Sequence, residues 1–181
     1  KLNCPVLFLG EWCQLYDRKS VWEKMDALVA NSFELQPDEQ KKNLAYTQEL
    51  AGQLLIELSV ALNLHHSTNH TQRYWNILLG PWLERYVCII FDRYYTLDQA
   101  IGNHELLTTT VLDTPEYTLV TTDSLNAIWA CNDDIWNHVL FARILNFIGG
   151  VEVASKPIKT GVGLRFNMDS EVTSQPSVSL K

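Results

Sequence analysis

Residues able to bind an anion or a sugar are densest at positions 69–85, in the stretch NHTQRYWNILLGPWLER. Arg73 suits bidentate contact with phosphate or carboxylate. Tyr74 and Trp75 beside it offer flat apolar faces with a polar handle. Trp82 follows a Gly-Pro pair, where a new helix would point backbone N–H groups at an anion before it. The stretch predicts an anionic ligand site. The alternative, which composition alone favours, is a kinked core helix whose aromatic residues only pack.

A second group of candidates is the run Glu11, Trp12 and Cys13, which follows the apolar residues 5–10 (PVLFLG). An apolar run stopped by glycine indicates a buried strand, and open α/β sheets bind ligands at the carboxyl ends of their strands. Glu11 could act as a base, bind a hydroxyl or cap the following turn. Cys13 is a nucleophile only beside a base, and we favour no catalytic cysteine.

Charged residues also lie inside otherwise apolar helical segments, and His138 and Arg143 among them could face a cleft. Solvated or salt-bridged helix residues are the more ordinary interpretation of this group. The group comprises Asp92, Arg93, Asp133, Asp134, His138 and Arg143.

Three neighbouring histidines raise the question of a metal site. His66 and His70 have the i, i+4 spacing that places two imidazoles on one helix face, and His65 adjoins them. No glutamate lies between them, so the zinc-protease pattern is absent, and no third ligand is evident. Ser, Thr and Asn in between indicate a loop or a cap. We therefore predict no metal, with these histidines serving in capping, hydrogen bonding or ligand contact.

Composition limits the class of protein. The chain has 181 residues, 46% hydrophobic and 19% charged, which suits a globular domain with a core of its own. A net charge of −7 argues against a nucleic-acid binder, which needs a basic face. The four cysteines are scattered, which is typical of a reducing compartment, so we expect a cytoplasmic location. No apolar run is long enough to span a membrane, and the chain does not open with a signal peptide.

Hydrophobic periodicity predicts a helix-rich α/β fold. Strands are predicted at residues 5–10, 107–112 and 151–158. Helices are predicted at 21–30, from 37 to 64 with a leucine face, and from 71 to 101 with an interruption at the Gly80-Pro81 pair. Two more end at residue 130 and at the glycines 149–150. Long helical crossovers favour a small parallel sheet, as in a partial Rossmann-like lobe. Residues 1–160 form this lobe, and 161–181 form a tail or a truncated continuation.

Four motifs resemble a family of transferases encoded in bacterial O-antigen and other surface-polysaccharide loci. They are LFLGEWC, RYWNILLGPWL, FDRY and WNHVLFARILNFIG, in this order. The similarity spans about residues 6–150, and the tail after about 161 does not follow the family pattern. Family members are several times longer, so the resemblance implies the N-terminal part of a two-lobed, glycosyltransferase-like enzyme whose first lobe handles the acceptor.

The same resemblance implies partners and candidate residues. The donor would be a nucleotide-activated sugar, and the acceptor a glycan or a lipid-linked molecule at the cytoplasmic face of the inner membrane; no cofactor is expected in this chain. We assign Glu11 and His70 to catalysis, and Arg73 and Arg93 to phosphate or carboxylate contacts. Further substrate contacts are assigned to Trp12, Tyr74, Trp75 and Trp82. Positions that also match the family pattern are Gly10, Cys13, Gly80, Pro81, Asp92 and Tyr94.

Two other functions stay open at this point. The chain could be a non-catalytic binding or scaffold module of a polysaccharide assembly complex, for which Trp12 and Trp82 should share one exposed apolar patch. It could also be a hydrolase that pairs Glu11 with an aspartate. We rank the hydrolase last, because nothing in the sequence sets the separation of the two carboxylates.

Overall fold

Two long helices dominate the computed structural model, which describes residues 5–30, 37–113 and 119–157. Helix α2 (Pro37–His66) and helix α3 (Gln72–Asn103) form a hairpin. The buried centre of α2 is Ala51 and Leu55, against which Trp75, Leu83 and Val87 of α3 pack. The apolar face predicted from Leu50, Leu54, Leu58 and Leu62, with Ala51 and Leu55 beside them, is largely confirmed. Leu50, Leu58 and Leu62 pack against this cluster, whereas Leu54 is exposed.

Helix α3 runs through Pro81 without a break, so the predicted interruption at the Gly80-Pro81 pair is wrong. Proline removes one backbone donor from the helix. Trp75 before Pro81 and Leu83 after it are buried in the same core cluster. Packing on both sides of the proline therefore holds the two halves in one helix, which the local sequence could not indicate.

The first parallel sheet joins β1 (Val6–Phe8) to β2 (Ala27–Val29), with Val6 opposite Ala27. Two 3₁₀ turns and the short helix α1 (Lys19–Trp22) connect the strands. The helix predicted at 21–30 is therefore wrong beyond residue 22. Pairing explains this difference, because Ala30 N–H donates to the Phe8 carbonyl at 2.8 Å and Val6 N–H donates to the Asp26 carbonyl at 2.8 Å. These partners are distant in sequence.

The second parallel sheet joins β3 (Thr108–Asp113) to β4 (Glu152–Pro157), and both predicted strands are confirmed. The crossover contains α4 (Ser124–Ala130) and α5 (Asp134–Ile148). Asp123 caps α4 by accepting from Asn126 N–H at 2.8 Å, and Asp133 caps α5 by accepting from Trp136 N–H at 2.8 Å. Gly149 ends α5 at φ 73°, a conformation that glycine adopts without strain.

The main core lies where α3, α4 and α5 meet. Trp136, Leu140 and Ile144 of α5 pack with Leu97 of α3, and Leu9 at the end of β1 packs on their edge. The chain is thus helix-rich, as predicted, but its described strands form two separate parallel sheets rather than one. None of the described helices has the length and apolarity needed to cross a membrane. The predicted tail, residues 161–181, lies outside the described residues.

Candidate functional site

A cleft of about 550 Å³ lies where the first sheet meets α3 and α5. Leu9 follows β1, Ala30 follows β2, and both line the cleft. It therefore occupies the carboxyl ends of two parallel strands, where open α/β sheets commonly bind ligands. The side chains that give it chemical character are Trp12, Asp92, Arg93, Asp134, Asn137 and His138.

One face of α3 and one face of α5 supply most of these side chains. On α3 the cleft residues include Asp92, Thr96 and Gln99, and on α5 they follow the i, i+3, i+4 spacing from Asp134 through Asn137 to His138. Thr96, Gln99 and Asn137 were not predicted as site residues from the sequence. They could have been found as polar residues that recur every three or four positions within otherwise apolar helices.

The proposal that His138 could face a cleft is confirmed. Arg143 is exposed and does not line this cleft. Asp133 instead serves as the cap of α5. The charged residues inside these helices therefore divide between positions that line the cleft and positions that do not.

Arg93 is held in place at the wall of the cleft. Its guanidinium forms an ion pair with Asp92, and its Nε donates to Asn137 Oδ1 at 3.1 Å. Asn137 Nδ2 in turn donates to the carbonyls of Cys131 and Asp133, each at 2.9 Å. The guanidinium is thus tied to the junction of α4 and α5, and 25% of the Arg93 side chain remains exposed.

His138 joins the cleft to the second sheet. Its Nε2 accepts a hydrogen bond from the Leu112 backbone N–H of β3 at 2.8 Å. Burial lowers the pKa of His138 from its ordinary value of 6.5, because the charged form loses hydration. The imidazole is therefore neutral at pH 7.

Trp12 presents an accessible indole, with 59% of the residue exposed. It lies in the 3₁₀ turn Glu11–Cys13 and folds back over Gly10. A Cβ at Gly10 would overlap the indole ring, so glycine is required there for this arrangement. Glu11 begins the same turn and is exposed, but it is not among the residues that line the cleft.

Four more predicted residues, His70, Arg73, Tyr74 and Trp75, lie where α2 connects to α3. We call residues 63–75, the end of α2, the connection and the first turn of α3, the hairpin turn. Asn63 Oδ1 accepts from His70 N–H at 2.9 Å and from Trp75 Nε1–H at 3.1 Å. The His70 ring stacks on Tyr74 with centroids 3.9 Å apart. Trp75 is only 6% exposed and packs in the core between the helices. Its predicted substrate contact stays a prediction, which this burial does not favour.

The structure does not bring Glu11 and His70, the two residues predicted to be catalytic, close together. At about 1.5 Å per residue, helix α3 separates Trp75 from Arg93 by roughly 27 Å. His70 therefore lies at the far end of α3 from the cleft, with Arg73 and Tyr74. The loop that the sequence indicates between His66 and His70 is confirmed, because α2 ends at His66 and α3 begins only at Gln72. Within the described residues no group of three or more His, Cys, Asp or Glu could hold a metal.

A smaller cavity of about 360 Å³ lies between α3 and α4. Trp82 lines it, stacked on Tyr86 with centroids 5.3 Å apart, and Arg85 lies beside them. Trp12 and Trp82 thus face different cavities.

Comparison with known proteins identifies the family to which the chain is similar. A family model described as LIC12162 family transferase matches residues 1–171 of the chain. The match continues beyond the tail boundary expected near residue 161. No curated protein and no solved structure matches the chain.

Proposed function

The chain belongs to the LIC12162 family of transferases, and on that premise we propose that it supplies the acceptor lobe of a two-lobed, glycosyltransferase-like enzyme. The enzyme would transfer a sugar from a nucleotide-activated donor to a glycan or lipid-linked acceptor. O-antigen or other surface-polysaccharide synthesis at the cytoplasmic face of the inner membrane is the proposed setting. The donor would be bound mainly outside this lobe.

The observation that carries the proposal is the composition of the cleft. The exposed indole of Trp12 offers a flat apolar face to the C–H groups of a sugar ring. Asp92 and Asp134 offer acceptors for sugar hydroxyls, and Arg93 offers donors for their oxygens. A volume of about 550 Å³ lies within the range of small-molecule sites. These features together suit a polyhydroxylated ligand.

The charge of the cleft favours a neutral sugar over a free phosphate. Its lining carries the carboxylates of Asp92 and Asp134 against the single guanidinium of Arg93. The guanidinium is already paired with Asp92. A multiply charged anion would therefore meet an uncompensated carboxylate. In this proposal Arg93 orients Asp92 and donates its remaining N–H groups to the acceptor, rather than binding phosphate as the sequence predicted.

In sugar transfer the acceptor oxygen bonds to the anomeric carbon while the bond from that carbon to the donor phosphate oxygen breaks. The nucleotide departs as the leaving group, and the acceptor hydroxyl gives its proton to a base. Asp92 is engaged by Arg93, whereas Asp134 has no ion pair within the described part of the chain. Asp134 therefore takes the role of base in this proposal. The sequence predicted that role for Glu11 or His70, neither of which is among the residues that line the cleft.

The test compares two exposed tryptophans in the complete protein. Trp12→Ala removes the proposed sugar platform, and Trp129→Ala removes an indole that is 46% exposed but lines neither cavity. Binding of a panel of methyl glycosides is followed by saturation-transfer NMR. We expect Trp12→Ala to lose binding about tenfold or more, in line with loss of a ring contact, and Trp129→Ala to bind normally. Equal binding by both variants would refute the acceptor site.

A second variant tests the transfer step itself. Asp134→Asn keeps the shape of the side chain and removes its ability to accept a proton. With a panel of nucleotide sugars and a fluorescent glycan acceptor, we expect transfer to fall about 10²-fold or more while glycoside binding is retained. Undiminished transfer would exclude Asp134 as the base.

A further inference from the structure

The imidazole of His138 stands between the cleft and strand β3, and its two ring nitrogens have different surroundings. Nε2 accepts from the Leu112 backbone N–H at 2.8 Å. Nδ1 has no hydrogen-bond partner among the described residues, and it is not one of their buried unpartnered polar atoms. Because the ring lines the cleft, Nδ1 is open to a ligand there.

The protonation of the ring follows from this contact. A neutral imidazole has one N–H and one lone pair on its two nitrogens. The Leu112 N–H occupies the lone pair of Nε2, so the proton must lie on Nδ1. The main chain of the second sheet therefore fixes which tautomer faces the cleft.

We propose that His138 is a specificity-determining donor, whose Nδ1–H binds a hydroxyl or acetamido oxygen of the sugar acceptor. The identity of this ligand rests on the proposed function, whereas the tautomer rests on the Leu112 contact alone. In this state the ring has no free lone pair, so it cannot remove a proton from the attacking hydroxyl. It selects acceptors that place an oxygen opposite Nδ1 and leaves the proton transfer to a carboxylate.

The first experiment measures the tautomer directly in the complete protein labelled with ¹⁵N at histidine. Long-range ¹⁵N–¹H NMR at pH 7.5 distinguishes a protonated ring nitrogen from an accepting one, and the signals that vanish in His138→Gln give the assignment. We expect Nδ1 to be protonated and Nε2 to accept. A proton on Nε2 would overturn the proposal, whether or not any sugar binds.

The second experiment separates donation to the ligand from support of the sheet. His138→Asn places an amide near the position of Nδ1 and loses the link to Leu112, whereas His138→Gln places an amide oxygen near the position of Nε2. We expect the Gln variant to lose methyl glycoside affinity about tenfold and keep its stability. The Asn variant should keep more of its affinity and lose stability.

The opposite ranking of affinities would overturn a donor role for His138. If the unmodified protein binds none of the methyl glycosides, the proposed function as a sugar-acceptor lobe is refuted. The NMR measurement of ring protonation still decides separately whether His138 can donate a hydrogen bond into the cleft, so failure of the proposed function and failure of the donor role can be distinguished.

Discussion

The hairpin turn and the cleft are each organised by one asparagine, yet they use it differently. Asn63 binds the backbone N–H and carbonyl of His70, together with the indole of the buried Trp75. Asn137 binds two backbone carbonyls and the guanidinium of Arg93. All partners of Asn63 belong to a turn or a core. One partner of Asn137 is a charged group at the wall of a cavity.

This difference separates residues that resemble a site from residues that can form one. The hairpin turn gathers a histidine, an arginine and two aromatic rings within a few positions, but the indole of Trp75 is buried and bound to Asn63, and the His70 ring is stacked on Tyr74. The cleft draws Trp12, Arg93 and His138 from three distant segments. Its groups keep unused donors, acceptors and ring faces. The densest candidates along the chain thus lie in the hairpin turn, whereas the cleft is formed by candidates that converge in space.

The largest expected effect is on stability, from Trp75→Ala. Truncating a buried indole removes its contacts with Leu55 and Leu83 and should cost about 3–5 kcal/mol. Tyr74→Ala is the matched control, because that ring is 44% exposed and its loss should cost about 1 kcal/mol or less. Urea unfolding measures both. Equal losses would mean that Trp75 does not pack as described.

Substitution of Asn63 and Asn137 compares the hairpin turn with the cleft directly. Asn63→Ala and Asn137→Ala each leave polar partners unsatisfied, and each should lose about 1–3 kcal/mol of unfolding free energy. Only Asn137→Ala should also weaken glycoside binding, because only Asn137 orients Arg93. Weakened binding in Asn63→Ala with the fold intact would place the functional site at the hairpin turn instead.

Substitution of Arg93 in the cleft and Arg73 in the hairpin turn compares the two regions without changing a core residue. Arg93→Ala leaves Asp92 without its ion pair, and we expect sugar transfer by the complete protein to fall about tenfold. Arg73 is exposed and has no hydrogen bond or ion pair within the described residues, so Arg73→Ala should transfer normally. Reduced transfer in Arg73→Ala with normal transfer in Arg93→Ala would instead support the anionic ligand site predicted at residues 69–85.

The smallest expected effect is a pH dependence of stability from His138. Its pKa is lowered in the folded protein by burial, so below the unfolded pKa of 6.5 the unfolded chain binds more protons. Stability should therefore fall as pH drops from 6.5 toward the folded pKa, and the Nε2 bond to Leu112 should be lost with it. Other titratable or charged groups that line the same cleft are Cys13, Asp92, Arg93 and Asp134.

The control for this pH effect is His138→Gln, which cannot titrate. Unfolding free energies of both proteins at pH 5 and pH 7.5 give the difference due to His138. A decline of the same size in the Gln variant would assign the pH dependence to another group.

Much of the fold was predictable where local interactions decide it. The long helix that begins at the acidic turn after Pro37, the caps at Asp123 and Asp133 and the stop at Gly149 all depend on neighbours within a few residues. Strand β2 and the continuity of α3 through Pro81 were not predictable in this way. Pairing with β1 decides the first, and burial against α2 decides the second.

The sequence by itself determined membership of a transferase family, the dominance of helices and the parallel strands, because these follow from motifs and periodicity along the chain. It also named Trp12, Arg93 and His138, although among other candidates of the same type. Only the tertiary structure decided which candidates meet. The rigid length of α3 holds His70 away from Trp12, and the packing of α5 against that same helix brings His138 to the cleft.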